Sequence, residues 1–172
     1  MKRLIATAAL LFMVPALAAA QTTDHQDRGQ GYFFFGMGTG TPSSFLHPGI
    51  EHVGGGGEGF LYKGVGFGAE AGYANWGGYY GNAVIASGDF SYHFRRHARR
   101  GAVDPFVLGG VSFVGPTKVG GGRGSPAGNY GGGANLWLAR HAALRLEFRD
   151  VVGAQYWAYT HYLSFRIGVT LR

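Results

Sequence analysis

Seven histidines are the side chains of this sequence best suited to metal binding or proton transfer. None of them forms an H-x-H or H-E-x-x-H pair, the spacings that bring two imidazoles onto one metal ion. The chain also contains no cysteine, which excludes thiolate catalysis and Cys-type zinc sites. We therefore predict no metal site and no cofactor, and we expect the histidines at the rims of the structure. They are His25, His47, His52, His93, His97, His141 and His161.

One combination of residue types resembles a hydrolase triad, namely His161, Ser164 and Glu147. His161 and Ser164 are three residues apart, so in an extended strand their side chains point to opposite faces. The pattern G-x-G-x-x-G over residues 54–59 also matches a dinucleotide fingerprint, but no helix follows it to receive a pyrophosphate. We predict no catalytic residues and no nucleotide site, and hence a protein that is not an enzyme.

The N-terminus has the layout of a secretory signal peptide. Lys2 and Arg3 precede an apolar run over residues 4–17, and three alanines then offer a cleavage site before Gln21. An N-terminal membrane anchor is the alternative, but the run is short for a full span. We predict a signal peptide over residues 1–20, a short periplasmic segment over 21–30, and an exported protein over the remainder.

The exported part carries little net charge. Without Lys2 and Arg3, thirteen basic residues face nine acidic ones, a net charge of +4. A balance this mild does not indicate a nucleic-acid partner.

Glycine is the dominant residue, and it opposes helices. The chain contains 33 glycines, a share well above the roughly 7% that is usual in proteins. Each interior glycine costs a helix about 1 kcal/mol relative to alanine, whereas closely packed, strongly twisted strands accept it. Eight runs read as strands of about the length that crosses a bilayer obliquely: 31–39, 50–61, 64–74, 83–94, 104–114, 129–138, 143–151 and 161–171.

Several of these runs alternate between apolar and polar side chains, which predicts a strand with two unlike faces. In 143–149, Leu144, Leu146 and Phe148 alternate with Arg145, Glu147 and Arg149. Alternation alone does not say whether the apolar face meets lipid or a soluble core. The signal peptide, the glycine content and the near absence of lysine favour apolar side chains outside and a narrow polar lumen inside.

The connections support the same arrangement, because longer links at 40–49, 75–82, 115–128 and 152–160 take turns with shorter ones. In outer-membrane barrels, outer loops are long and periplasmic turns short. The segment GGGANLWLARHAALRLEFRD (131–150), followed by the closing strand 161–171, resembles the small outer-membrane β-barrel family that includes outer-membrane protein A and the opacity-type proteins. That resemblance implies an all-β fold, an eight-stranded antiparallel up-and-down transmembrane β-barrel.

The resemblance also implies partners. They are the lipids of the outer membrane and, during biogenesis, the barrel-insertion machinery. Family members usually end on an aromatic residue that this machinery reads, whereas this chain ends on Leu171-Arg172.

Two sets of residues are expected to have defined places in such a barrel. Charged residues on the polar faces are expected to form a paired network in the lumen, where water is scarce. They are Glu70, Asp89, Arg145, Glu147, Arg149 and Arg166. Aromatics flanking two long loops are expected at the membrane–water interface. They are Tyr73, Trp76, Tyr79, Tyr80, Tyr156, Trp157, Tyr159 and Tyr162.

The run Arg95-Arg96-His97-Ala98-Arg99-Arg100 is the one dense charge cluster of the sequence. It is either a solvated turn or a contact for anionic headgroups or periplasmic polymer.

For the whole protein we expect a monomeric structural or surface-interaction barrel without an open pore, displaying four loops. A soluble, lipocalin-like carrier of an apolar ligand is the alternative, and a narrow pore is a weaker one.

Overall fold

The computed structural model of this protein describes residues 29–41, 47–75, 82–94, 100–117, 124–155 and 158–172. Within these residues eight antiparallel strands form a closed barrel, each strand paired with the next and the last closing on the first. No helix in this part of the chain is long and apolar enough to cross a membrane. The strands are β1 (Gly29–Thr41), β2 (His47–Tyr62), β3 (Val65–Asn75), β4 (Asn82–His93), β5 (Val103–Pro116), β6 (Ser125–Trp137), β7 (Ala142–Gln155) and β8 (Ala158–Leu171).

The two ends of the barrel differ. The terminal end carries the first residues of β1 and the last of β8, together with the connections after β2, β4 and β6. The loop end carries the connections after β1, β3, β5 and β7. The predicted signal peptide lies outside the described residues, as does the predicted periplasmic segment up to residue 28. β1 begins at Gly29, two residues before its predicted start.

All eight predicted strands are present, but the strands extend further toward the loop end than the sequence indicated. The clearest case is the predicted long loop over 152–160, which is wrong. β7 and β8 remain paired as far as Gln155 and Ala158, so only two residues join them. Gly153 and Ala154 continue the pairing with β8, although these small residues show no apolar alternation that would signal a strand.

The apolar face of each strand points outward. Phe165 and Ile167 of β8 are 56% and 46% exposed, whereas Ser164 and Arg166 between them are buried. The same alternation holds in β3, β4, β5 and β7, where exposed Val, Phe, Tyr and Leu side chains lie outside. This orientation confirms the predicted assignment of the faces and is the reverse of what a soluble, lipocalin-like carrier requires.

Glycine on the inner face of β2 allows large side chains from neighbouring strands to approach. A Cβ atom added at Gly56 would lie 2.7 Å from the Cβ of Glu70 and 2.9 Å from the hydroxyl of Tyr32. The run Gly54–Gly57 therefore gives room to a charged residue of β3 and an aromatic residue of β1.

The interior has an apolar layer toward the loop end. It is a cluster of Ile50, Ala74, Ile85, Val151 and Tyr162. Charged side chains fill the interior beneath this layer, and they form the candidate site.

Candidate functional site

The six charged residues predicted for the lumen lie together inside the barrel, each no more than 6% exposed. Glu70 comes from β3, Asp89 from β4 and Arg166 from β8, while Arg145, Glu147 and Arg149 stack along one face of β7. Three alternate residues of β7 share a face because side chains in a strand repeat every two residues. We refer to these six residues as the lumenal network.

Arg149 is the centre of the lumenal network. Its Nη1 atom lies 2.9 Å from Oδ2 of Asp89 and 3.0 Å from Oε1 of Glu70. Its Nε atom lies 2.8 Å from Oε1 of Glu147. One guanidinium thus joins carboxylates from β3, β4 and its own strand, and the planar fork of arginine suits several acceptors at once.

Glu147 pairs with all three arginines of the lumenal network. Beyond Arg149, its carboxylate lies 2.7 Å from Nη2 of Arg145 and 3.3 Å from Nη1 of Arg166. Arg166 also lies 2.8 Å from Oε1 of Glu70. The three acids and three arginines therefore neutralise one another within the described interior, where an unpaired charge would be costly.

Aromatic rings complete the surroundings of these arginines. The guanidinium of Arg145 lies 4.3 Å from the ring centroid of Tyr32 and 4.1 Å from that of Phe106, and the guanidinium of Arg166 lies 4.4 Å from the ring of Phe34. The hydroxyl of Tyr32 donates a hydrogen bond to Glu70 at 3.1 Å. Cation–π contacts of this kind add stabilisation to ion pairs that are removed from water.

Sequence reasoning missed these rings. Tyr32 and Phe34 stand in the run Tyr32-Phe33-Phe34-Phe35, which has no polar residue to mark a face. The two-residue period of the strand, counted from the flanking glycines, is the sequence signal that could have assigned them to a face.

A second charged cluster lies inside the barrel near the terminal end. His93 of β4 lies between two acids, with Nδ1 2.8 Å from Oδ2 of Asp104 and Nε2 3.2 Å from Oε2 of Glu58. Gln30 donates a hydrogen bond to the same Glu58 at 2.9 Å, and Ser91 donates another. We call Glu58, His93 and Asp104 the acid–histidine cluster. The cluster connects β2 with β4 and β5. Its contacts cross the interior, since β2 does not pair with either of these strands.

The acid–histidine cluster was also missed in the sequence. Glu58 stands among glycines, so no alternation shows which face it occupies. The prediction that the histidines lie at the rims is wrong for His52 and His93, which are 1% and 2% exposed inside the barrel. His52 lies 3.3 Å from Nη2 of Arg166, because its position in β2 has inward parity.

The space left between the two clusters is small. A cavity of about 10 Å³ separates them, enough for about one water molecule. It offers no room for an organic substrate, and the described residues contain no group of His, Asp and Glu arranged to hold a metal ion. Its lining residues are Tyr32, Glu58, Gly68, Asp89, Ser91, Leu108 and Arg145.

Solved structures share this architecture. Neisserial surface protein A superposes with a TM-score of 0.64 at 10% identity, and the β-barrel domain of Pseudomonas aeruginosa OprF with 0.59 at 16%. The attachment invasion locus protein Ail of Yersinia pestis gives 0.58 at 10%. Each alignment covers 83% of this chain and 96% of the other. No protein-family model matches the sequence, and no curated protein matches it.

By fold this chain is a closed eight-stranded antiparallel β-barrel like these outer-membrane proteins. The likeness is one of architecture, since the sequence identities are low, and it confirms the predicted fold class. The outer membrane protein OprG of Pseudomonas aeruginosa shares the fold with a TM-score of 0.55. The outer-membrane location expected from the sequence is supported by these neighbours.

The expected aromatic girdle of this outer-membrane barrel is described only in part. Tyr73 points outward and is 42% exposed. The prediction is wrong for Tyr162, which is 3% exposed and packs inside against the ring of His52, because it shares parity with Ser164 and Arg166. The other members lie outside the described residues or have no described side chain: Trp76, Tyr79, Tyr80, Tyr156, Trp157 and Tyr159.

One polar cluster interrupts the outer wall of the barrel. Asp150 has outward parity in β7 but is only 1% exposed, because Tyr130 and His161 cover it. The hydroxyl of Tyr130 donates to Oδ2 of Asp150 at 2.7 Å, and Nδ1 of His161 lies 2.8 Å from the same oxygen. Ser164 lies on the opposite face and donates to the carbonyl of Arg149, so the triad considered in the sequence does not assemble.

Proposed function

We propose that this protein is a monomeric, non-enzymatic barrel of the outer membrane that acts as a structural element of the envelope and conducts no ions. Its terminal end faces the periplasm and its loop end faces the outside. The observation that carries the proposal is the combination of an apolar outer wall with an interior filled by paired charges. Neither feature by itself distinguishes a structural barrel from a carrier or a channel.

The outer wall supports insertion into lipid. In β8 the five outward side chains from Leu163 to Leu171 are all apolar. The nine residues of this run match the band of about 25 Å that a barrel presents to acyl chains. In β7 the corresponding run extends from Ala142 to Phe148. Exposing such a belt to water would create a large continuous apolar surface, which soluble monomers rarely carry.

The interior supports a barrier rather than a pathway. The lumenal network joins β3, β4, β7 and β8 through ion pairs of 2.7 to 3.3 Å. The acid–histidine cluster occupies the same interior nearer the terminal end. An ion passing through would have to displace buried pairs, and breaking one such pair costs about 3–5 kcal/mol.

A role in surface recognition is a second candidate function, and fewer observations support it. The Yersinia pestis neighbour is an attachment invasion locus protein, and such a role would use the connections at the loop end. In this chain the strands leave only residues 42–46, 76–81, 117–124 and 156–157 for those connections. We therefore place the envelope-structural role first.

Planar-bilayer recording tests the barrier, and cell fractionation tests the location. The wild-type protein is expected to partition with outer membranes and to show no steady unit conductance after reconstitution. A strain lacking the protein is expected to become more sensitive to detergents and large antibiotics, with the wild-type gene restoring resistance. Steady conductance steps of the wild type would support a narrow pore instead. Release in soluble form from the periplasm would overturn the membrane location itself.

A further inference from the structure

Among the residues that the structure describes, the exposed charges are separated by sign along the barrel axis. Six of the seven acidic residues in the described part of the chain are buried, and Glu51 near the loop end is the exposed one. Exposed basic residues of the same part lie at the terminal end, one in each of its three connections: Lys63, Arg100 and Arg140. We call these three residues the basic rim.

Each residue of the basic rim lies close to the edge of the apolar wall. Lys63 occupies a two-residue turn between β2 and β3, and its Nζ atom lies 5.0 Å from the ring centroid of Tyr62. Tyr62 is 66% exposed. Contact with this exposed ring directs the ammonium along the outer surface.

The other two positions are fixed by backbone hydrogen bonds between neighbouring connections. Gly101 donates to the carbonyl of Trp137 at 2.7 Å, and Trp137 donates to the carbonyl of Ala102 at 3.0 Å. Arg100 is thereby fixed beside the connection that carries Arg140. Leu138, which begins that connection, is 58% exposed and continues the apolar wall. Arg140 thus lies two residues beyond the wall, within reach of a headgroup layer.

The neighbouring acids do not neutralise the basic rim. Asp104 and Glu58 are the nearest acids along the strands, but they point inward and pair with His93. Arg172 also lies at this end, but its guanidinium is 4.7 Å from the ring of Trp137 and 5.5 Å from that of Phe60, which are buried inside the barrel. A positive ring with no exposed acid beside it in the described connections favours an anionic partner.

We propose that the basic rim binds the anionic headgroups of glycerophospholipids in the periplasmic leaflet. The proposal rests on the proposed orientation of the barrel and adds the lipid class and the residues that select it. Lipid is favoured over a periplasmic polymer because Lys63 and Arg140 lie in connections of two and four residues, so their charges lie at the level where the apolar wall ends. Each basic residue at a membrane surface contributes attraction that falls away within about one Debye length.

Spin-labelled lipids provide the test, with the full-length protein reconstituted in phosphatidylcholine membranes at low salt. Electron paramagnetic resonance measures how strongly labelled phosphatidylglycerol is retained around the protein relative to labelled phosphatidylcholine. The wild type is expected to prefer phosphatidylglycerol at least about threefold. The variant K63Q/R100Q/R140Q is expected to weaken this preference, whereas E51Q at the opposite end is expected to leave it unchanged.

A second measurement needs no substitution, in case the triple variant does not fold. Raising the salt to about 1 M, where the Debye length is about 3 Å, is expected to abolish the preference of the wild type. Equal retention of both lipids by an inserted wild-type protein would overturn the proposal. So would a preference that survives both the triple variant and high salt, or charge-dependent sedimentation with isolated peptidoglycan without any lipid preference. Failure of the wild type to insert would instead contradict the membrane location.

Discussion

The guanidinium of Arg149 lies 2.9 Å from the carboxylate of Asp89, although the two residues belong to strands that do not pair with each other. Arg149 is fully buried in β7, and Asp89 is 5% exposed in β4. Their contact therefore spans the interior and ties two separate parts of the wall together. Such a link has a large effect when it is broken, because the remaining charge stays buried.

Removing the acid that three arginines share is expected to destabilise the barrel strongly. Glu147→Ala should lower the free energy of unfolding by about 3–5 kcal/mol, because it leaves buried guanidiniums without their acceptor. Glu51→Ala is the matched control, since Glu51 is exposed and its loss should change stability by about 0.5 kcal/mol or less. Urea unfolding, monitored by tryptophan fluorescence, measures the free energy of unfolding of both variants. Equal midpoints for Glu147→Ala and wild type would mean that the interior charges are solvated.

Removing the histidine of the acid–histidine cluster is also expected to destabilise the barrel, because it leaves buried acids without their partner. His93→Ala leaves Glu58 and Asp104 facing each other without the imidazole between them, and should cost several kcal/mol, on the order of a broken buried pair. His141→Ala is the control because His141 is exposed in a turn. Thermal unfolding of the two variants compares them. A His93→Ala protein as stable as His141→Ala would show that the contacts of His93 contribute little.

The sequence predicted the strands and faces wherever polar and apolar side chains alternate. In β7 the order Arg145, Leu146, Glu147, Phe148 and Arg149 determines the inward and outward sets without further information. The same two-residue period assigned Glu70 and Asp89 to the interior, because each is flanked by outward apolar or small residues.

The sequence could not assign residues in runs of uniform character. Glu58 lies between glycines, and Tyr32 and Phe34 lie among other aromatics, so no local contrast distinguishes the two faces. Tyr162 was misplaced because an aromatic near a strand end fits a girdle and an interior equally well by composition. The contact of His93 with Asp104 and Glu58 depends on the register of three strands, which a single sequence does not specify.

Two adjacent glycines of β2 offer a test of the inner packing. Gly56→Ala places a methyl group against Glu70 and Tyr32, and should destabilise the barrel by about 1–3 kcal/mol through overpacking. Gly57→Ala is the control on the outer face, where an added Cβ atom would meet only the carbonyl of Gln30 at 3.6 Å. Chemical denaturation of the two variants measures the difference in their free energies of unfolding. A greater loss for Gly57→Ala would contradict the assignment of the faces in β2.

The free-energy cost of placing a charge on the outer wall is expected to depend on its depth in the membrane. Leu146→Arg, near the middle of β7, should cost about 2–4 kcal/mol because the charge enters the acyl region. Leu138→Arg places the same change at the terminal rim, where the cost should be about 0–1 kcal/mol. Folding into phosphatidylcholine vesicles, monitored by the shift in gel mobility of the unheated protein, measures both. Equal folding of the two variants would be inconsistent with a lipid-facing wall.

Contact between the apolar face of β8 and lipid can be measured directly with a single labelled cysteine. The natural chain contains no cysteine, so Ile167→Cys introduces a single labelling site on the exposed face. A bimane label there is expected to be quenched by brominated phosphatidylcholine and not by aqueous iodide, while Ser164→Cys, buried in the interior, should resist labelling in the folded protein. Quenching of the Ile167→Cys label by iodide, without quenching by brominated lipid, would show that the apolar face of β8 faces water and not lipid.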